Sequence, residues 1–517
     1  MIQVSIKNNN KVKYYVLLAL FSIVISFLAV YFCAFFFSPL YEHFLVRPET
    51  TDSTFFMVLG RMLAEGATPY IDVLDHKGPY LFYFLELAAL INPLWGFYIF
   101  QSIISSICLF CALDIGHELG LRKGYSAVYF FATFILLFLI HDFVTLDASF
   151  IFCTYIPLWL FVKAYKTKNY KLYTASCLSA GLSIGILIFS RATSAAVPCI
   201  IALAVFLHSL FDKDYANLPL YILFGVFGIV LACAIPIVIS SAGGYLDEMF
   251  TWTFTKNGNY IFASLFDFSN WRIDKIGVLL FSSLTMLILP YCIYKTHEEK
   301  EKNFAIIVIS MILIDGVFNL LASLLLHHLQ MSYPIYLLGF TGLLNYVKLK
   351  INNKSQKKSQ TNYGQVLAGI LSAITIIYIF AFPYVSQSIL NNYPLYSTEN
   401  IYKQREIKSY IEEKYDGDAK VIVLDLDPSI YMNLNTLPSY KVYSNQFWWY
   451  NTDVYPNIDK ELETYFSSKD KPDLIFTICD INESILSVGN LNQTVQENYT
   501  LLENYSYYPV WYVYEAK

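Results

Sequence analysis

The chain has 517 residues, of which 56% are hydrophobic, 18% aromatic and 15% charged. Soluble globular proteins carry about 25% charged residues, and the apolar residues of this chain come in blocks long enough to cross a bilayer. The composition excludes a soluble globular protein and predicts a polytopic α-helical membrane protein that contacts the lipid bilayer and binds no nucleic acid. The net charge of −5 says little about partners, because basic and acidic residues are segregated along the chain.

Apolar windows predict about 11 transmembrane helices, since a spanning helix needs about 20 apolar residues. The windows lie near residues 14–37, 97–116, 124–142, 149–166, 172–190, 194–211, 218–240, 276–295, 303–325, 331–347 and 363–385. The segment from Tyr80 to Ile91 is also apolar. It is too short to cross alone, and we expect it to be a partly inserted lead-in to the following span.

The distribution of basic residues predicts the orientation of these spans. With a cytoplasmic N-terminus, 18 Lys and Arg residues fall in the inner connections and 7 in the outer connections of the membrane region. Cytoplasmic loops are enriched in Lys and Arg, so a first outer loop at 38–79 and a large outer loop at 241–275 are expected. We predict a transmembrane domain at residues 1–385 and an extracytoplasmic domain at residues 386–517.

The C-terminal region reads as a small α/β domain. A helical segment at 400–414 is followed by apolar strand-like runs at 421–424 and 474–478, and an aromatic run at 507–514 closes the chain. Helices that alternate with buried strands are typical of such domains.

The first outer loop carries more ionisable groups than a simple connection needs. Asp52 could act as a general base that accepts the proton of an attacking acceptor, but it also precedes a helical run and could be its N-cap. The sequence leaves these two roles about equally open. Glu49, Asp72, Asp75 and His76 are supporting candidates in the same loop.

Two cations lie at outer helix ends. Lys77 stands between His76 and Gly78 at the start of an apolar segment, and Arg191 ends another apolar segment. Both could bind a phosphate at the headgroup boundary, or both could be ordinary cations whose side chains reach the membrane interface. Asp147 could orient either cation or cap its own helix.

A late outer segment contains His327, His328 and Tyr333. Adjacent positions on a helix point about 100° apart, so the two histidines are poorly placed to share one metal ion. A hydrogen-bonding role for His328 and Tyr333 is the expectation, and no residue is assigned as a metal ligand.

The pattern of these residues resembles the GT-C fold glycosyltransferases, and most closely the bacterial protein-mannosyltransferase-like branch (glycosyltransferase family 39-like), which includes the lipid A aminoarabinose transferases. The resemblance covers residues 10–350 as a pattern and is specific in 49–79. It rests on an early acidic residue, the Gly66 to Tyr70 turn with Pro69, and Asp75-His76-Lys77-Gly78-Pro79. Ser190-Arg191 and His328 to Pro334 add to it.

The resemblance implies a catalytic aspartate at Asp52, a lipid-phosphate-binding lysine at Lys77 and a second phosphate-binding cation at Arg191. It also implies a polyprenyl-phosphate sugar donor and transfer with inversion. Many relatives have paired acidic residues where this chain has Asp52 and Ser53. That departure leaves a requirement for a divalent cation open, and no other cofactor is expected.

The sequence therefore predicts a glycosyltransferase of a bacterial plasma membrane. It would move a sugar from a polyprenyl-phosphate donor to a cell-envelope acceptor on the outer face. No Gly-rich nucleotide-binding loop occurs in the chain. The alternatives are a polysaccharide polymerase or ligase, and a transporter or flippase of lipid-linked sugars. A transporter should place its polar groups near the membrane midplane, whereas most candidates here cluster outside.

Overall fold

The computed structural model describes residues 2–37, 51–121, 124–139, 143–256, 273–297, 301–321, 326–354, 370, 398–424, 428–442, 455–477, 491–506 and 511–517. The α-helices are α1 (Ile2–Phe37), α2 (Thr51–Ala64), α3 (Pro79–Ile91), α4 (Trp95–Glu118), α5 (Gly124–Phe134), α6 (Leu146–Phe150), α7 (Phe152–Thr167), α8 (Tyr170–Arg191), α9 (Ala196–Phe211), α10 (Leu218–Ala242), α11 (Leu246–Phe250), α12 (Ile273–Thr296), α13 (Lys302–Leu321), α14 (Tyr333–Lys354), α15 (Thr398–Tyr415), α16 (Ser429–Leu434), α17 (Ile458–Phe466) and α18 (Leu491–Asn498).

Shorter elements complete the chain. Segments of π-helix lie at Ile135–Leu139 and Thr251–Lys256, and 3-10 turns lie at Ala192–Ala195, Leu326–Ser332 and Glu503–Tyr505. The strands are β1 (Val421–Val423), β2 (Leu474–Thr477), β3 (Tyr499–Leu501) and β4 (Tyr512–Ala516).

Seven runs of the described residues are long and apolar enough to cross a membrane. One of them, Tyr170–Phe211, has 42 residues, and a single straight helix of that length would measure about 63 Å, twice the thickness of the hydrocarbon core. A kink at Phe189 and the turn at Ala192–Ala195 divide it into α8 and α9. The prediction of a polytopic helical membrane protein is confirmed, while the count of 11 spans stays a prediction because the window at 363–385, apart from residue 370, lies outside the described residues.

The short apolar segment after the first loop is the helix α3. It has 13 residues, which correspond to about 20 Å of helix, so it is too short to cross the hydrocarbon core alone. Pro79 begins it, as is common for the first helical position.

Glycines allow α8 and α10 to approach closely. A Cβ at Gly181 would lie 2.0 Å from the carbonyl oxygen of Gly225, and a Cβ at Gly228 would lie 2.6 Å from that of Leu178. In a lipid environment such backbone contact is a main source of helix association, because lipid tails are as apolar as the side chains. The packing fixes the axis of α8, which ends at Arg191.

A closed polar network lies between α13 and α14. Asp315 Oδ1 accepts a hydrogen bond from Ser332 Oγ (2.9 Å), and its Oδ2 accepts one from Asn319 Nδ2 (3.1 Å). Asn319 Nδ2 also donates to the Tyr336 hydroxyl over 2.9 Å. The four side chains are buried, and buried polar groups are stable only when they are paired in this way. The network attaches the end of the 3-10 turn at Leu326–Ser332 to α13.

The C-terminal residues form a four-stranded sheet in the order β1-β2-β4-β3. β1 and β2 are parallel, with Ile422 opposite Ile475, while β4 runs antiparallel to both β2 and β3. The buried β1 and β2 coincide with the strand-like runs of the sequence. β4 begins later than the aromatic run, at Tyr512.

Candidate functional site

The Gly66 to Tyr70 turn follows the end of α2 and adopts an uncommon backbone. Gly66 has φ 99° and Tyr70 has φ 64°, and a bulky residue in the left-handed region is a strained conformation that its surroundings must hold. Tyr70 is buried, and its hydroxyl donates to the carbonyl oxygen of Lys77 over 2.8 Å. Thr253 Oγ1 lies 3.2 Å from the same hydroxyl. The strained turn therefore fixes the main chain at Lys77.

Asp75, His76 and Lys77 form a consecutive relay. Asp75 Oδ1 lies 3.2 Å from His76 Nδ1, and His76 Nε2 lies 2.6 Å from Lys77 Nζ. An ammonium group has only donors, so Nε2 accepts and the proton of the neutral imidazole resides on Nδ1, facing Asp75. The Asp75 carboxylate also accepts from the Lys77 N–H over 2.8 Å. The relay orients the lysine ammonium.

The charges of the relay follow from burial and from neighbouring groups. Burial lowers the pKa of His76, and the positive charges of Lys77 and Arg191 act in the same direction, so the imidazole is neutral at neutral pH. Burial alone would raise the pKa of Asp75. Hydrogen bonding to His76 and the charge of Lys77 outweigh that effect and lower the pKa, so the carboxylate stays ionised.

Gly78, which directly follows the relay, contacts the end of α8. Its N–H donates to the carbonyl oxygen of Ser190 over 3.1 Å. A Cβ at position 78 would lie 2.0 Å from the carbonyl oxygen of Phe189, so the contact requires glycine. Phe189 departs from helical geometry (φ −93°, ψ 21°). Lys77 and Arg191 are each one residue away from this hydrogen bond.

A buried carboxylate holds Arg191. Its Nη1 donates to Asp147 Oδ2 over 2.9 Å, and Ser194 Oγ donates to Asp147 Oδ1 over 3.2 Å. The side chain of Asp147 is 3% exposed and that of Arg191 is 23% exposed. Thr145, whose side chain accepts from the Ala148 N–H, is the N-cap of α6. Of the two roles open to Asp147, orienting a cation is the one its contacts show.

The start of α2 is attached to the segment that leads to Asp147. Asp52 is the second residue of α2, which begins at Thr51, and its side chain lies outside the described residues. The next residue, Ser53, is buried, and its Oγ donates to the carbonyl oxygen of Phe143 over 2.7 Å. Phe143 precedes Asp147 by four positions, so Ser53 attaches the start of α2 to the segment that leads to the Asp147–Arg191 pair.

Gln101 fixes the segment that joins these parts. The side chain lies within α4 and is buried. Its Oε1 accepts from the Val144 N–H over 3.4 Å, and its Nε2 donates to the carbonyl oxygen of Ala148 over 3.3 Å. Val144 has φ 61°, which is strained for a β-branched residue. Gln101 thus holds a second strained segment next to the site.

The remaining predicted residues occupy varied places. Asp72 is exposed, and its Oδ2 accepts from the Thr68 N–H over 2.8 Å, which closes the turn. Tyr333 is buried at the start of α14. Glu49 lies outside the described residues, and so does the side chain of His328, whose backbone is in the 3-10 turn at Leu326–Ser332.

Among the described residues, the one group that could hold a metal ion is Asp114, His117 and Glu118, within 4.8 Å of one another. Asp114 lies 13 positions after Gln101 on α4, which is about 20 Å along the helix, at the opposite end of the bundle. Its carboxylate is 3.0 Å from the Lys163 ammonium, whose positive charge opposes a bound cation. This group does not supply a metal to the site.

Sequence reasoning missed four residues that shape the site: Tyr70, Gln101, Ser194 and Thr253. The turn motif contains Tyr70, but the sequence pattern indicates no role for it. A lone amide in an otherwise apolar span, as at Gln101, was a signal that could have been used, because polar groups in a membrane need partners. The roles of Ser194 and Thr253 depend on contacts between distant parts of the chain, which no local pattern shows.

Fold and site together define the class of protein. Lys77, Arg191, Asp147 and the start of α2 converge at one end of a polytopic helical bundle, and a sheet-containing C-terminal region contacts the same end, where the Leu74 N–H donates to the carbonyl oxygen of Lys441 over 3.1 Å. We call this the site end, and the end with Asp114 and Lys163 the far end. The arrangement is that of a polytopic membrane protein with a charged site at one end of its helical bundle.

Comparison with known proteins makes this more specific. Residues 76–239 match the family model described as dolichyl-phosphate-mannose-protein mannosyltransferase. The crystal structure of ArnT from Cupriavidus metallidurans bound to undecaprenyl phosphate superposes with a TM-score of 0.58 at 10% sequence identity, over 97% of this chain and 98% of that chain. The apo structure of the same protein gives a TM-score of 0.45 at 10% identity, over 95% and 97%. No curated protein sequence matches the chain significantly.

The identity is low, so the likeness to ArnT shows a shared fold. The predicted GT-C fold and the predicted resemblance to the protein-mannosyltransferase-like enzymes are confirmed. The chain is a multi-pass membrane protein with this fold.

Proposed function

We propose that this chain is a glycosyltransferase of a bacterial plasma membrane. It transfers a sugar, with inversion, from a polyprenyl-phosphate donor to a cell-envelope acceptor on the outer face. The acceptor is a glycopolymer, a lipid or a protein. The observation that carries the proposal is the hydrogen bond from Gly78 to Ser190 (3.1 Å), which brings Lys77 and Arg191 to one place.

Lys77 and Arg191 bind the donor phosphate in this proposal. When the bond between the anomeric carbon and the phosphate oxygen breaks, negative charge grows on the leaving phosphate, and preorganised cations stabilise that charge. The neutral His76 orients the ammonium of Lys77, and Asp147 holds the guanidinium of Arg191. Neither cation has to reorganise during the reaction.

Asp52 is the general base. The acceptor hydroxyl or amine attacks the anomeric carbon as the phosphate leaves, and its proton passes to the Asp52 carboxylate. The bond electrons depart with the polyprenyl phosphate. The position of Asp52 at the start of α2, next to Ser53 and its bond to Phe143, supports this role. A lipid-linked donor also suits a site at the outer face, where no nucleotide sugar is supplied.

A polysaccharide polymerase or ligase would use the same chemistry and differ only in the acceptor. A transporter or flippase of lipid-linked sugars is less well supported. Asp315 and Asn319, the clearest polar pair within a span, are engaged by Ser332 and Tyr336 in the closed network. Transporters bind their substrates near the membrane midplane, and this midspan pair already has its hydrogen-bond partners within the protein.

The test of this function uses the full chain in proteoliposomes with radiolabelled polyprenyl-phosphate sugars and an envelope extract as acceptor. Wild type should yield a labelled product, and Asp52→Asn should lower transfer by about 100-fold, as expected for loss of a general base. The matched control is Asp247→Asn, which changes an exposed carboxylate of α11 and should leave transfer unchanged. Equal transfer by Asp52→Asn and wild type at equal abundance would remove Asp52 as the base.

A further inference from the structure

Glu461 is the centre of a polar cluster in α17. Its Oε2 accepts hydrogen bonds from the hydroxyls of Tyr455 (2.6 Å) and Tyr440 (3.2 Å) and lies 2.8 Å from Lys441 Nζ. Burial raises the pKa of the Glu461 carboxyl, but Lys441 and the two hydroxyls outweigh burial and lower it. The carboxylate is therefore ionised and holds three side chains together.

Lys441 connects this cluster to the segment 74–77. Its carbonyl oxygen accepts from the Leu74 N–H over 3.1 Å, and Leu74 is buried and directly precedes Asp75. The Glu461 carboxylate thus fixes Lys441, and the main chain of Lys441 holds Leu74 at the start of the Asp75-His76-Lys77 relay.

Tyr455 provides a second connection to the same relay. Its ring packs edge-to-face on Trp252, with centroids 5.8 Å apart. The neighbouring Thr253 lies 3.2 Å from the Tyr70 hydroxyl, which donates to the carbonyl oxygen of Lys77 over 2.8 Å. The two connections from Glu461 therefore reach opposite ends of the segment 74–77: the first ends at Leu74 and the second at Lys77.

A separate contact joins the same parts of the chain. Arg61, in the last turn of α2, donates to Asn435 Oδ1 over 3.1 Å, and Asn435 directly follows α16. This contact positions α2 against the C-terminal region without touching Glu461. Arg61 and the Glu461 cluster thus connect the C-terminal region to different parts of the chain, Arg61 to α2 and the Glu461 cluster to the segment 74–77.

We propose that the C-terminal region holds the segment 74–77, here called the phosphate-binding turn, in place and that Glu461 is the residue that positions it. The consequence for donor binding rests on the proposed function, whereas the mechanical connection does not. Glu461 acts through Lys441 and Tyr455 and does not touch the substrate. Its loss frees the 74–77 segment, so that Lys77 is no longer preorganised for a phosphate.

Glu515 offers a matched control in the same C-terminal region. It too is a carboxylate that binds two tyrosines and a lysine, with Tyr410 at 2.5 Å, Tyr415 at 2.7 Å and Lys414 at 2.8 Å. This cluster joins β4 to α15 and includes no residue of the turn. Glu515→Gln disturbs the C-terminal region to a similar extent but spares the connection to the turn.

The experiment is hydrogen–deuterium exchange on the full chain in nanodiscs, comparing wild type, Glu461→Gln and Glu515→Gln. Glu461→Gln should speed exchange in the peptide that covers 70–78 by about tenfold, because a hydrogen-bonded charged group is lost, while Glu515→Gln should leave that peptide unchanged. Unchanged exchange in Glu461→Gln, or an equal rise in both variants, would overturn the proposal.

Kinetics of the same variants separate this inference from the proposed function. Glu461→Gln should raise the KM for the polyprenyl-phosphate sugar by about tenfold, matching the loss of order in the turn, and Glu515→Gln should leave it unchanged. Faster exchange at 70–78 with an unaltered KM would support the positioning role of Glu461 and would contradict the role of Lys77 in donor binding.

Discussion

The two ends of the helical bundle each hold a buried aspartate paired with a cation, yet the surroundings of the two pairs differ. At the far end Asp114 accepts from Trp159 Nε1 (2.7 Å) and from the Tyr14 hydroxyl (3.3 Å), and pairs with Lys163 (3.0 Å). The Lys163 ammonium lies over the rings of Tyr15 and Trp159, at 4.2 and 4.8 Å. Both charged groups of this pair are thus engaged by other side chains of the protein.

At the site end the pair is part of a larger accumulation of positive charge. Arg191 is close enough to contribute to the lowered pKa of His76, together with Lys77. A guanidinium also has five N–H donors in a planar fork, which matches the oxygens of a phosphate. A buried ion pair is therefore not by itself a sign of function: the far-end pair is enclosed by aromatic side chains, and the site-end pair is the one we propose to bind a phosphate.

Replacing the lysine at each end should separate these two roles most clearly. Lys77→Met removes a preorganised cation from the leaving phosphate, so transfer should fall by about 1,000-fold, with little change in the thermal denaturation midpoint. Lys163→Met leaves Asp114 as an uncompensated buried charge, which should cost about 3 kcal/mol of stability while the activity per folded molecule persists. Transfer assays and thermal denaturation in detergent measure both. If the two variants lost transfer activity and thermal stability to the same extent, the proposed difference between the two ends would be wrong.

Gly78→Ala tests whether close backbone contact creates the site end. The new Cβ would meet the Phe189 carbonyl oxygen at 2.0 Å, so the turn must shift by about 1 Å, a displacement that costs about 100-fold in rate at a catalytic site. Gly225→Ala is the control, since a Cβ there meets only Cys177 O at 3.7 Å. Transfer by Gly78→Ala at the wild-type rate would mean that Lys77 does not depend on this contact.

Asp147→Asn should have the smallest of these effects. It keeps the shape of the side chain and weakens a charged hydrogen bond to Arg191, a loss of about 1.5 kcal/mol, or about tenfold in donor KM. Asp114→Asn at the far end should leave the donor KM unchanged and lower the denaturation midpoint. A donor KM that changes in Asp114→Asn but not in Asp147→Asn would reverse the assignment of the two ends.

Part of the site followed from local sequence. The Asp75-His76-Lys77-Gly78-Pro79 motif and the cation at Arg191 were visible as ionisable groups next to apolar segments, where each charge is costly and needs a reason. The relation between them was not visible. It depends on the kink at Phe189 and on the hydrogen bond from Gly78 to Ser190, which joins positions more than 100 residues apart.

The apolar segments alone predict a multi-pass helical membrane protein, because hydrocarbon allows few other spanning structures and the length of an apolar segment is a local property. The sequence also determined which residue types could carry chemistry. Only the tertiary structure decided that Asp147 orients Arg191 instead of capping α6, and that Lys441 and Tyr455 attach the C-terminal region to the turn. These outcomes depend on contacts between segments distant in sequence, which arise from packing and leave no local pattern.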